Sequence, residues 1–172
     1  KTLLEAFKRL PERGGITLRV CGDLRSYPKY AAEVYGLAGG DPRINFAGTF
    51  PNEKMDRELG KMDVLVVPST WYENAPLVIY SALAAGIPVV AANLGGMAGI
   101  IRHEENGLLF EPGDAEDLTL KLRRLVEEPG LLARLGENAG EVRSVEDSVD
   151  EMIALYERLR ESKYGAKSAG YS

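Results

Sequence analysis

Asp63-Val64-Leu65-Val66-Val67-Pro68, then Ser69-Thr70-Trp71-Tyr72-Glu73-Asn74-Ala75, then Pro76 to Gly86, then Ile87-Pro88-Val89-Val90-Ala91-Ala92 form the stretch on which the fold turns. The first run is continuously apolar, the pattern of a parallel strand covered on both faces. Pro76 to Ala85 reads as a helix. Pro76 sits in its first turn, where a missing N–H costs nothing, and Gly86 follows as the residue that stops it. Pro88 to Ala92 is a second buried strand. Strand, polar loop, helix and strand within roughly 30 residues make a βαβ unit, and such units build parallel sheets.

The same alternation continues in both directions. Leu3, Leu4, Phe7 and Leu10 recur at helical spacing until Pro11 ends the run. Ile16 to Cys21 is a short β-rich run closed by the Gly22-Asp23 turn, with Cys21 expected as a small buried hydrophobe. Tyr27 to Leu37 predicts a helix, Ile44 to Gly48 a strand, and Asn52 to Met62 a helix capped by Asn52. Downstream, Gly107 to Phe110 is a strand. Asp114 caps a helix with Leu118, Leu122, Leu125 and Val126 on one face, and a last helix carries Val149, Met152, Ile153, Tyr156 and Leu159. The expectation is an α/β domain over residues 1–161 with a parallel sheet and helices on both faces. Residues 162–172, rich in Ser, Gly, Ala and Lys, are expected to be a flexible tail.

Composition narrows the function classes. The 172 residues are 45% hydrophobic and 27% charged, a globular balance. No apolar run approaches the ~20 residues of a membrane span, and no signal-peptide pattern opens the sequence, so a cytoplasmic protein is expected. One cysteine excludes a disulfide framework within the chain and a cysteine-based zinc site. A net charge of −5 gives nothing to favour nucleic acid as partner. Glycine is in excess, at 19 residues, which means tight turns or backbone brought close to a ligand.

Several chemistries lack their motifs. There is no Gly-x-Gly-x-x-Gly after the first strand, no Walker sequence and no Gly-x-Ser-x-Gly elbow. His103, the only histidine, has no nucleophile near it in sequence. No metal is expected, because Asp-x-Asp and clustered His/Asp patterns are missing. What remains is the loop from Pro68 to Pro76. Ligands of open parallel sheets bind beyond the carboxyl ends of the strands. The N–H groups of Leu77 and Val78, backed by a helix dipole, make an anion site suited to a diphosphate. Glu73 at the same mouth would repel phosphate, so it suits neutral hydroxyls beside it. A diphosphate next to a hydroxyl-rich group describes a nucleotide sugar; a carboxylate that merely stabilises the dipole is the other reading.

Glu73-Asn74-Ala75-Pro76-Leu77-Val78 with Gly86-Ile87-Pro88-Val89-Val90 resembles the carboxyl-terminal domain of the family 4 (group 1) retaining glycosyltransferases. Val20-Cys21-Gly22-Asp23, Phe46-Ala47-Gly48, Gly95-Gly96, Asn106 to Asp114 and Asp117-Leu118 follow the family in the same order, over roughly Lys1 to Arg160. The resemblance implies a Rossmann-like domain, one half of a GT-B fold. It implies a nucleotide-sugar donor here and an acceptor held mainly by a separate amino-terminal domain. Glu73 would be the catalytic residue, contacting the donor sugar. Asn74, Ala75, Pro76, Leu77 and Val78 would touch sugar and diphosphate. Gly48, Thr49 and Phe50 would hold the nucleobase. The expected activity is transfer of a hexosyl-type sugar to an acceptor hydroxyl without metal or other cofactor, and the family allows peripheral membrane association of the whole enzyme.

Three departures qualify that reading. Ser81 stands where the family's second glutamate clasps the ribose, and a hydroxyl offers less than a carboxylate. Gly99 replaces another usual glutamate. The Arg and Lys that neutralise the leaving diphosphate, and a first central strand, belong to sequence upstream of Lys1. The chain alone is therefore expected to be an inactive part of an enzyme. The alternative is a non-catalytic nucleotide- or protein-binding module. A receiver-like domain fits the alternation but not the missing acidic cluster at the first strand's end.

Overall fold

A computed structural model describes residues 1–12, 15–74, 76–140 and 145–164. The chain divides into two units, Lys1–Glu141 and Val142–Ser172. In the first unit the order is α1 (Thr2–Lys8), β1 (Leu18–Cys21), α2 (Pro28–Ala38), β2 (Ile44–Gly48), a 3-10 turn (Asn52–Lys54), α3 (Met55–Leu59) and β3 (Leu65–Val67). There follow α4 (Leu77–Ala84), β4 (Val89–Ala92), α5 (Gly95–Ile100), β5 (Gly107–Phe110), α6 (Ala115–Glu127) and α7 (Leu131–Glu137). The second unit holds α8 (Val145–Tyr164), which runs three residues into the segment expected as a tail; 165–172 lie outside the described residues.

All ladders are parallel, as the alternation required, but they form two sheets: β1-β2 and β3-β4-β5. The fold is Rossmann-like, parallel strands flanked by helices. Val89 lies opposite Leu65 on one side and Gly107 on the other, so β4 is paired along both edges. All four of its residues are buried. The largest fully buried side chains include Phe110 and Leu108 of β5, Ile79 of α4 and Met97 of α5, all on elements in contact with β4, together with Leu59, Leu118 and Leu135. The sheet is tight at Gly107, where a Cβ would stand 2.2 Å from the Val89 carbonyl oxygen.

Helix α6 starts as its sequence dictates. The Asp114 carboxylate accepts from the backbone N–H of Glu116 (2.8 Å) and Asp117 (3.0 Å). Its buried Leu118 and Leu122 pack toward α1, and the Thr119 hydroxyl lies 2.6 Å from the Ala115 carbonyl and 3.3 Å from that of Ala6.

Three local expectations are corrected. Asn52 does not cap a helix: it lies inside the 3-10 turn, whose preceding residue is Pro51 and which has no side-chain cap. The run Asp63–Pro68 forms a strand only at Leu65–Val67, of which Val67 alone is buried. Cys21 is exposed, because β1 is the edge of its sheet rather than a covered central strand.

Candidate functional site

The chain leaves β3 at Val67, passes Pro68 to Pro76 and enters α4, so the loop sits at the carboxyl end of a parallel strand. Pro76 is buried and extended (φ −64°, ψ 111°), one position before the first helical residue. Its carbonyl accepts from the Ile79 N–H at 3.0 Å. No side chain caps α4. The N–H groups of Leu77 and Val78 therefore form an uncapped, positively polarised helix end. Leu77 is exposed and Ala75 lies outside the described residues.

Glu73 is half-buried and held twice. Its Oε1 accepts from the Ser69 hydroxyl, four residues back at the strand's end. Its carbonyl oxygen accepts from the Gly96 N–H at 2.8 Å, which fastens the loop to the first turn of α5. The two backbones touch. A Cβ on Gly96 would come within 1.6 Å of the Asn74 carbonyl oxygen, and one on Gly95 within 2.9 Å of the Glu73 oxygen. Gly95 and Gly96, which turn chemistry alone would explain from sequence, are required here by backbone approach. Asn74, Trp71 and Tyr72 are exposed on the same loop.

The remaining candidates separate. Ser81 is half-buried, and its hydroxyl donates to the Leu77 carbonyl one turn earlier at 3.2 Å. Gly99 borders open space: a Cβ there would meet nothing within 4 Å. Gly48 and Thr49 line a cavity of about 540 Å3 at the carboxyl ends of β1 and β2, with Gly22, Asp23, Arg25 and Tyr35. Phe50 lines a different, apolar cavity. Asp23 is fixed by the Ser26 hydroxyl (2.5 Å) and the Arg25 N–H (2.8 Å), and these bonds hold its carboxyl below the usual range. Its place on the cavity wall was not evident beyond the Gly22-Asp23 turn signal.

His103 is structural. Its Nδ1 accepts from the Leu109 N–H at 2.9 Å, and its neighbour Glu104, at φ +68°, is clasped by Arg124. Among the described residues, no three His, Cys, Asp or Glu side chains gather as a metal site, and no helix is long and apolar enough to cross a membrane.

Residues 1–142 match the family described as glycosyl transferases group 1, and the chain belongs to that family. It is 35% identical over 158 residues to the exopolysaccharide phosphotransferase SCO2592 of Streptomyces coelicolor, covering 91% of this chain and 16% of that protein. It is 40% identical over 132 residues to the D-inositol 3-phosphate glycosyltransferase of Rhodococcus jostii, covering 75% and 29%. Among solved structures it is similar to Anabaena Alr3699/HepE in complex with UDP-glucose, with a TM-score of 0.73 and 27% identity over 81% of this chain and 38% of that one. The chain thus spans less than a third of the length of these curated relatives. Its structural neighbours are GT-B glycosyltransferases.

Proposed function

We propose that this chain is the donor-binding part of a retaining glycosyltransferase. It holds a nucleotide diphosphate sugar while the sugar passes to an acceptor hydroxyl bound mainly by another domain. The observation that carries this reading is Glu73 fastened at the mouth of a helix whose first N–H groups are uncapped. The amides of Leu77 and Val78 receive the diphosphate, which needs donors and positive potential. Glu73, an acceptor, takes the sugar hydroxyls, with Asn74 and Ala75 beside it. The cavity at Gly48 and Thr49 takes the nucleobase, with Phe50 at the end of the same turn, and Ser81 binds the ribose once its hydroxyl leaves the Leu77 carbonyl. The similarity to a protein solved with UDP-glucose supports the ligand class.

In this reading the amides stabilise the charge that develops on the leaving diphosphate, so no step calls for a metal. The further cations and the acceptor site come from elsewhere in the whole protein, and residues 1–172 alone do not turn over. Peripheral membrane contact and a cytoplasmic location suit a whole enzyme that glycosylates an acceptor at a membrane surface. One observation favours a non-catalytic binding module instead: the Ser81 hydroxyl is turned to its own helix backbone.

The test is steady-state transfer from UDP-, GDP- and ADP-glucose by the full-length protein, with and without EDTA, beside Glu73→Gln. The reading expects transfer from one nucleotide, unaffected by EDTA. Glu73→Gln should lower kcat by about 10²-fold or more with Tm nearly unchanged. Binding without transfer would favour the module; equal loss of Tm and turnover would make Glu73 structural.

A further inference from the structure

A nucleotide held as proposed has its pentose between the base, at Gly48 and Thr49, and the diphosphate, at the first N–H groups of α4. The helices on either side of the Glu73 loop offer that pentose little. Leu77–Ala84 of α4 and Gly95–Ile100 of α5 contain no charged residue, and their only side-chain oxygens are the hydroxyls of Tyr80 and Ser81. Ser81 lies one turn beyond Leu77 on the same face of α4, whereas Tyr80 is turned from it by about 100° around the helix. Glu73, the carboxylate at that helix end, accepts from the Ser69 hydroxyl and is given to the donor's sugar in the same reading.

Ser81 is a weak reader of a vicinal diol. Its hydroxyl donates to the Leu77 carbonyl at 3.2 Å, so contact with a pentose exchanges one neutral hydrogen bond for another. Such an exchange adds little, since even a newly made neutral bond is worth about tenfold in affinity at most. A carboxylate at position 81 would accept from both hydroxyls of a ribose, through charge-assisted bonds roughly twice as strong as neutral ones. Ser81 has a single oxygen for the two hydroxyls, and a 2′-deoxypentose still supplies one of them. We propose that the site takes 2′-deoxyribonucleoside diphosphate sugars as readily as their ribonucleoside counterparts, and that Ser81 is the residue that sets this tolerance. The proposal rests on the donor reading and deepens it, naming the class of nucleotide admitted. Selection among nucleotides then falls to the base in the polar cavity and not to the pentose.

The test is calorimetry on the full-length protein with UDP, GDP and ADP, each beside its 2′-deoxy counterpart. For whichever base binds, the two dissociation constants should agree within about fivefold. Ser81→Glu, with Tm measured alongside, should separate them by at least about tenfold in favour of the ribonucleotide. Ser81→Ala should leave them within about fivefold, a readout that stands even where the glutamate lowers Tm. A larger preference for the ribonucleotide in the unaltered protein or in Ser81→Ala would overturn the proposal and leave the donor reading in place. So would a Ser81→Glu protein that keeps its Tm and still binds the two alike, because Ser81 would then lie away from the pentose. If none of the nucleotides binds, the donor reading and the proposal fall together.

Discussion

The half of the first unit built on β3, β4 and β5 and the half built on β1 and β2 come from the same alternation of strand and helix, yet they differ in burial. Every residue of β4 and three of the four in β5 are buried; none in β1 or β2 is. Composition does not account for this, since Leu18, Val20, Ile44 and Phe46 are as apolar as their counterparts. Pairing and helix cover do. β4 has strand neighbours on both edges, and the edge strand β5 is covered by α6, whereas β1 and β2 form a sheet of two strands, each with a free edge. The well-buried half carries the Glu73 loop and α4. The open half carries the polar cavity at Gly48. In the proposed reading the sugar and diphosphate contacts belong to the well-buried half, where packing holds a loop's geometry.

The contrast breaks most directly by truncating matched aromatics in the full-length protein. Phe110→Ala in β5 should cost about 3–5 kcal/mol by urea unfolding, because Phe110 is 1% exposed and its cavity cannot fill. Phe46→Ala in β2 should cost less than half as much, for Phe46 is only half-buried and packs edge-to-face on the exposed Tyr35 at 4.7 Å. Equal costs would show the second half to be as closed as the first.

Gly96→Ala sharpens the comparison at the site. Its methyl group cannot coexist with the Asn74 carbonyl at 1.6 Å, so the Glu73 loop must move. UDP-glucose affinity should fall at least about tenfold by calorimetry, and stability by about 1–3 kcal/mol. Gly99→Ala, in the same helix but facing open space, should change neither.

The smallest effect concerns acid. Arg43 holds Asp41 by side-chain and backbone hydrogen bonds and lowers its pKa to about 2, while also reaching the carbonyls of Leu10 and Pro11. A depressed carboxylate contributes stability above its ordinary pKa near 4 and loses that contribution as pH falls through about 2. Asp41→Asn should therefore flatten the fall of Tm between about pH 4 and about pH 2. An unchanged slope would mean that acid acts through other carboxylates, such as Glu104, whose pKa Arg124 lowers in the other half.

Much of the fold was legible because it is local. Val89–Ala92 is apolar throughout, Gly107–Phe110 has turn signals before it, and Asp114 caps α6 through atoms two and three residues away. The Glu73 loop was legible for the same reason, as a polar break between a strand and a helix with proline at its start. Long-range facts were not. Gly95-Gly96 reads as a turn until the Asn74 carbonyl is seen against it, and α5 starts at that pair. The bond from Ser69 to Glu73 had a signal, a hydroxyl four residues back at a strand end, but needed the loop's curl to acquire meaning. The exposure of Cys21 follows from what pairs with β1, and no window of sequence around Cys21 contains that information.

In the proposed reading the α4 amino terminus beside Glu73 receives the donor. This placement is tested most directly by amide NMR of the full-length protein titrated with UDP-glucose and, in a parallel sample, with UDP. The N–H resonances of Leu77 and Val78 should move downfield with either ligand, as charge-assisted hydrogen bonds form to the diphosphate. Asn74 and Gly96 should respond to UDP-glucose more than to UDP, since only the former places a sugar at Glu73. Saturable binding that leaves Leu77 and Val78 unmoved would contradict the account.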